Sequence, residues 1–236
     1  MSTPYKVLAR FYNNLIEDES YLEYAKRIVG VVKANTKSNS GIDCACGSGI
    51  ITRHLKRAGF NVLGVDISEE MLKNAQEISL KEGLNINYLK QDIKSLKSFE
   101  KVGFITCIND GLNYILQKDV SKTLKSFSKN LIKGGLLVFD VSTESKFKNL
   151  LNGKTYADNS ESLSYVWFSD YNEEKRELSH TLTFFEKQGE VYKRYDEEQT
   201  QYAHSVDFIE SELKNAGFKI ISVTNESGLP LKNEHH

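Results

Sequence analysis

The sequence predicts an α/β fold: a mostly parallel, doubly wound sheet with helices on both faces, carrying an inserted small antiparallel β-sheet. Three observations predict it. Between residues 42 and 140, short apolar runs alternate with amphipathic helical patterns. Most of those runs are nearly continuous rather than alternating, as parallel strands covered on both faces require. Between residues 143 and 204 the pattern changes to long runs rich in Tyr, Phe, Trp and Thr, separated by turn-sized links.

The apolar runs are residues 41–45, 61–66, 85–89, 102–109 and 135–141, most with Asp or Asn at or near an end. After the first, Ile51, Leu55 and Ala58 form one helical face, and Gly59 follows as a C-cap. After the second, Ser68 caps a helix carrying Met71, Ala75 and Ile78, which Gly83 stops. After the fourth, Val120, Leu124, Phe127 and Leu131 continue a single stripe. In the insert, residues 164–171, 176–187 and 191–203 read as three antiparallel strands, with hairpin turns at 172–175 and 188–190. Ser205 then caps a helix with Phe208, Ile209, Leu213 and Ala216, Gly217 closes it, and residues 218–224 read as a further strand. Residues 5–32, ahead of the α/β unit, read as one or two amphipathic helices, and residues 225–236 give no clear element.

The chain has 236 residues, more than one domain at roughly 150 residues each and less than two. The surplus is the insert: a single domain spans 1–236, with 143–204 set into it. Lys and Arg number 31 against 32 Asp and Glu, a formal charge of −1. No global field draws such a chain onto nucleic acid or an anionic membrane. No stretch has the length of an apolar membrane span and residues 1–16 lack a signal-peptide pattern, so the expected location is the cytoplasm. Three cysteines, two in Cys44-Ala-Cys46, read as reduced thiols, and without a matching Cys or His pair they do not make a zinc site.

The sharpest local signal is Ile42-Asp43-Cys44-Ala45-Cys46-Gly47-Ser48-Gly49-Ile50, where a strand turns straight into a helix. Gly47 and Gly49 permit tight-turn dihedrals, so amides at the helix start can face an anionic or polar ligand. Ile50-Ile51 stands where a phosphate-cradling loop needs Lys-Ser/Thr, and Thr52 stands where a dinucleotide fingerprint needs its third glycine. An adenosyl ligand without phosphates remains. Asp66, 19 residues after Gly47 at a strand end, can accept both hydrogen bonds of a ribose diol. Asp92 can accept from an adenine amino group while Ile67, Met71 and Ile93 sandwich the ring. All of these fall at strand C-terminal ends, where open α/β sheets bind ligands.

The run 43–49, followed in order by Asp66, Asp92, Asp110-Gly-Leu-Asn-Tyr114 and Leu131-Ile-Lys-Gly-Gly-Leu-Leu-Val-Phe-Asp140, resembles the class I S-adenosylmethionine-dependent methyltransferases over residues 36–142 and 205–224. The insert after the fifth strand and the stretch 192–198 resemble a bacterial group of small-molecule methyltransferases. The resemblance implies a Rossmann-like fold, S-adenosylmethionine as cofactor and no metal. It implies that Asp43 organises the turn, that Ala45, Gly47 and Gly49 line the methionine portion, that Asp66 holds ribose and Asp92 adenine, and that Asn109 stands with these cofactor-binding residues. Asp110, Asn113 and Tyr114 would sit beside the methyl group. Ala45 stands for the family's commonest first glycine and Lys133 for a frequent proline. The family's seventh, antiparallel strand has no counterpart in residues 225–236.

Methyl transfer from a sulfonium is an in-line displacement that needs alignment and exclusion of water, not a side-chain nucleophile. Aromatic faces suit a cationic sulfur, so Tyr5, Phe11 and Tyr12 near the N-terminus and Trp167, Tyr171, Tyr195 and Tyr202 on the insert are candidate lid groups. An amine acceptor leaves cationic, which Asp110, Glu197 or Glu198 would favour. A hydroxyl acceptor wants a base, and only His180 and His204 are placed to be one. This favours nitrogen over oxygen. The expected partner is a small-molecule substrate, the chain acting as a monomer or homodimer. The competing readings are an RNA or tRNA base methyltransferase, with insert aromatics stacking bases, and a non-catalytic S-adenosylmethionine-binding protein.

Overall fold

In the computed structural model, residues 5, 7–16, 19–225 and 227–229 are described. Two helices come first, α1 (Leu8–Ile16) and α2 (Glu19–Asn35). The α/β unit follows as β1 (Ser40–Cys44), α3 (Ile50–Arg57), β2 (Asn61–Asp66), α4 (Glu69–Lys81), β3 (Asn87–Lys90), β4 (Val102–Cys107), α5 (Gln117–Asn130) and β5 (Leu131–Phe139). The five strands are parallel in the order β3-β2-β1-β4-β5. Every residue of β4 is buried, the signature of a central strand covered on both faces. Ile42, Cys44, Val65 and Ile105 face Leu124 and Phe127 of α5 on one side. Val62 and Phe104 face Val32 of α2 and Leu55 of α3 on the other. The predicted cap at α4 forms, Ser68 Oγ accepting from the Met71 amide at 3.3 Å.

The insert opens with α6 (Glu144–Lys146), which widens into a π-helical turn over Phe147–Leu151. A four-stranded antiparallel sheet follows in the order β6 (Lys154–Asn159), β7 (Leu163–Asn172), β8 (Glu177–Gln188), β9 (Val191–Tyr202). Three of these strands are the predicted ones. β6 is an addition: all six of its residues are exposed, so it carries no apolar alternation to betray a strand, as suits a sheet edge. The chain returns through α7 (Val206–Asn215), whose Ile209 and Leu213 join the core under α5.

The strand expected over residues 218–224 does not form; neither sheet includes it, and only Thr224 makes an isolated bridge. Phe218 and Ile220 pack against the core while Ile221 is 71% exposed. An apolar run becomes a strand only where a neighbour takes its hydrogen bonds, and among the described residues none pairs with 219–223. The seventh-strand question concerns residues 225–236, of which 226 and 230–236 lie outside the described residues. Among the described residues no helix is long and apolar enough to cross a membrane.

The two sheets are joined through α1. Its Leu8, Phe11 and Tyr12 pack against Met71 of α4 on one side and Leu163, Leu182 and Phe184 of the insert on the other. Phe11 and Phe184 stack with ring centroids 4.9 Å apart.

Candidate active site

Parallel register brings the loops after the strands to one edge. Cys44 pairs with Val65, Asp66 with Lys90, Asp43 with Thr106 and Cys107 with Phe139. The segments at Ala45, Asp66, Asp92, Asn109 and Asp140 therefore share that edge. Strand order reverses between β1 and β4, which opens a crevice there.

Asp43 is 1% exposed and braces the crevice, accepting from Thr52 Oγ1 at 2.6 Å and Thr106 Oγ1 at 2.7 Å. Burial pushes its carboxyl up to about 6, against the pull of the two hydroxyls. Beyond it Ala45 and Gly47 turn at φ 52° and 53°. The Gly47 amide donates to Asp66 Oδ2 and the Ser68 amide to Asp66 Oδ1, each at 2.8 Å. Asp66 is 8% exposed, and burial raises its carboxyl against those amides. Each of its oxygens spends one lone pair on the chain and keeps another, the capacity a vicinal diol needs.

The two glycines do different work. A Cβ placed at Gly47 would meet no atom within 4 Å, so its bare side faces open space. At Gly49, φ 78°, a Cβ would stand 2.5 Å from Tyr88 Oη, a hydroxyl bonded to Ser79 Oγ at 2.9 Å. Gly49 is bare on that side to admit Tyr88, a residue the motif does not contain. Between them Ser48 Oγ is buried with no partner among the described residues. An open Gly47, an unpartnered hydroxyl beside it and a carboxylate with spare lone pairs fit an adenosyl cofactor.

Past the end of β3, Asp92 Oδ1 accepts from the Lys94 amide at 2.9 Å, capping the turn that carries Ile93, and Lys94 Nζ stands 3.4 Å from Oδ2. Ile67 is 44% exposed; Met71 and Ile93 are buried, with Met71 against α1.

A second hollow, of about 370 Å³, lies between α1, the loop after β4 and the insert. Tyr5 and Tyr12 form one wall, Asn109, Asp110 and Tyr114 another, and Trp167, Ser169, His180 and Gln201 the floor. Ser169 and Gln199 flank His180 directly across β7–β8–β9. The indole Nε1 of Trp167 donates to His180 Nδ1 at 3.0 Å, and Ser169 Oγ lies 2.9 Å from the same nitrogen. An indole N–H only donates, so Nδ1 is the acceptor and the ring proton resides on Nε2, 3.3 Å from Gln201 Oε1. Burial pulls the His180 pKa down, which keeps the ring neutral.

A second chain runs along the wall. Tyr114 Oη donates to Gln199 Oε1 at 3.0 Å, so in the 2.7 Å contact of the two phenols Tyr5 is the donor. Burial raises both phenols well above their ordinary range. Gln199 Nε2 donates to Glu197 Oε1, and Glu197 also accepts the amides of Tyr5, Val7 and Leu8 at 2.6–2.9 Å. Glu197 thus caps α1 from the insert. Tyr12 Oη accepts from Asn109 Nδ2 at 3.1 Å, and Asp110 Oδ1 from Ser142 Oγ at 2.8 Å.

Four of the six acceptor-side candidates, Tyr12, Asp110, Tyr114 and Trp167, therefore line the hollow. Two do not. Asn113 is fully buried and tied to backbone, donating to Ser142 O and Tyr202 O and accepting from the Ser142 amide, so it locks the loop to the insert. Tyr195 lies against Phe11 and under the Arg10 guanidinium, its hydroxyl donating to Glu186. It stands on the same strand face as Gln199 and Gln201, further along, where α1 covers it. His204 lies beneath the 111–114 turn, with Nε2 3.2 Å from Leu112 O. Ser169, Gln199 and Gln201 were not anticipated, although Glu197, Gln199 and Gln201 at every second residue of a strand were a readable sign of a buried polar face.

A doubly wound sheet with a glycine turn facing a carboxylate at its switch point defines the class of α/β domains that bind adenosyl ligands. The methyltransferase domain family matches residues 42–135. The Bacillus subtilis protein YqeM, whose name places it with the methyltransferases, is 34% identical over 222 residues, covering 93% of this chain and 88% of its own. An S-adenosylmethionine-dependent methyltransferase from Clostridium acetobutylicum superimposes with a TM-score of 0.84 at 30% identity, over 96% of this chain and 93% of that one. The sugar N-methyltransferase KedS8 from Streptoalloteichus shares the fold, with a TM-score of 0.75 at 18% identity over 92% and 86% of the two chains. The chain belongs to the class I S-adenosylmethionine-dependent methyltransferases.

Proposed function

We propose that this methyltransferase acts on a nitrogen of a small molecule seated in the hollow between α1 and the insert, with residues 143–204 closing the acceptor side of a single domain. The carrying observation is the state of His180. Its one lone pair accepts from Trp167, and its proton is turned to Gln201, so the imidazole offers no base to a hydroxyl. A neutral amine brings its own lone pair and needs none. The volume supports a small acceptor, since about 370 Å³ is at the small end of ligand pockets. The solved structures that share the fold include one named as a sugar N-methyltransferase.

S-adenosylmethionine supplies an electrophilic methyl group when bound. Gly47 would line its amino-acid portion and Asp66 would hold its ribose, with Asp92, Ile67 and Ile93 at the adenine. Tyr5 and Tyr114 each spend their proton within the Tyr5–Tyr114–Gln199 chain, so their oxygens present lone pairs to a donor. Asp110 sets negative charge on the wall where an amine becomes cationic, and the aromatic rings exclude water.

The test is incubation with methyl-labelled S-adenosylmethionine and separate metabolite, protein and RNA fractions of a bacterial lysate. Label in metabolites, on an amine, is expected. Label in RNA or on a hydroxyl overturns the reading.

A further inference from the structure

We propose that Asp140 is a positioning residue that clamps a left-handed pair, Asn109–Asp110, and thereby sets the acceptor wall against the cofactor loop. Asn109 and Asp110 both have positive φ, 68° and 62°. Two consecutive non-glycine residues in that region persist only where surroundings over-determine them, and Asn and Asp are the side chains that resist it least.

The over-determination comes from one carboxylate. The Asn109 amide donates to Asp140 Oδ2 at 3.0 Å and the Asp110 amide to Oδ1 at 2.8 Å. Tyr24 Oη of α2 also donates to Oδ2. Successive amides that converge in this way make an anion-binding nest, and here the anion is supplied by the next strand of the sheet. Asp140 itself is fixed just past the β4–β5 ladder, its amide reaching Cys107 O at 3.4 Å.

The clamp has a consequence at both halves of the site. The turn it holds aims Asn109 at Tyr12 and Asp110 at Ser142, and leads into the 111–114 turn that delivers Tyr114 to Tyr5. It also seats Gly111 so closely that a Cβ there would stand 2.7 Å from Cys107 Sγ and 3.0 Å from the Cβ of Ala45 in the glycine loop. The spacing between the acceptor wall and the cofactor loop is therefore fixed at residues 109–111.

The test is Asp140→Asn, which keeps the size but offers one oxygen to two amides, with Tyr24→Phe as the milder variant that keeps both bonds. Three quantities are read: the amide proton shifts and hydrogen exchange of Asn109 and Asp110, the affinity for S-adenosylhomocysteine, and the rate of label transfer to metabolites. The last rests on the hollow being the acceptor site; the amide readout does not. Asp140→Asn is expected to move both amide signals upfield and speed their exchange, and to leave S-adenosylhomocysteine affinity within about threefold. It is expected to cut transfer about 100-fold, the scale of an ångström-sized misplacement. Tyr24→Phe, which removes a competing donor from Oδ2, should move the Asn109 amide signal the opposite way, downfield, and by less. Unmoved amides in both variants overturn the clamp. Transfer within about twofold of wild type despite moved amides, or a loss matched by equal losses of cofactor affinity and melting temperature, overturns the positioning role. Should the wild type label no metabolite, the proposed function falls and the amide result alone decides the clamp.

Discussion

The C-terminal edge of the parallel sheet and the buried face of the insert both place polar groups out of water, by opposite means. At the parallel edge the Asp66 carboxylate is held by backbone amides of the adjoining turns, those of Gly47 and Ser68. On the insert they are side chains from separate strands, Trp167, His180 and Gln201, brought together by register. Backbone-built sites tolerate changes in neighbouring side chains, whereas side-chain networks change with any one member. The first suits a constant cofactor and the second a particular acceptor.

That contrast can be broken by substitutions that should each strike one region and spare the other. Asp66→Ala should have the largest effect, lowering S-adenosylhomocysteine affinity by about 100-fold or more, since hydrogen bonds to a charged group are worth roughly 1.5–3 kcal/mol each; calorimetry giving a change under threefold breaks the assignment. Asp43→Asn reads the buried carboxyl. With its folded pKa near 6 and above the ordinary value, Asp43 contributes stability that is fully present below about pH 4 and lost as pH rises through 6. Wild-type stability relative to Asp43→Asn should therefore fall by up to about 3 kcal/mol between pH 4 and pH 7, in urea unfolding at each pH; a flat difference contradicts it. Gly49→Ala, forced to positive φ and into Tyr88, should cost about 2 kcal/mol, part of it recovered by adding Tyr88→Phe. Trp167→Phe is the mildest. It frees the Nδ1 lone pair of His180, so the imidazole pKa followed by NMR should rise, with cofactor affinity unchanged and label transfer altered by less than about tenfold.

The same contrast explains what could be read without coordinates. The parallel unit, with Gly47, Asp66 and Asp92 at its strand ends, is legible because strand, turn and carboxylate follow one another within a few residues. The insert's three apolar strands were equally plain, but β6, wholly exposed, left no periodic trace. Residues 218–224 have the composition of a strand but join neither sheet among the described residues, and composition does not report neighbours. Tyr195 and Asn113 were placed with the acceptor because residue type was visible and position was not: Tyr195 has the right face of β9 at the wrong height, and Asn113 spends its amide on the loops it joins. Gln201 became meaningful only once β8 set His180 beside it.

Glu197 caps α1 from β9, while Asn74 of α4 donates to Ala9 O further along the same helix. The N-terminal turn of a nine-residue helix is thus riveted both to the insert and to the parallel unit. The same short turn therefore ties together the elements on both sides of the hollow, so a substitution at Glu197 bears on the parallel unit as well as on the insert that carries it.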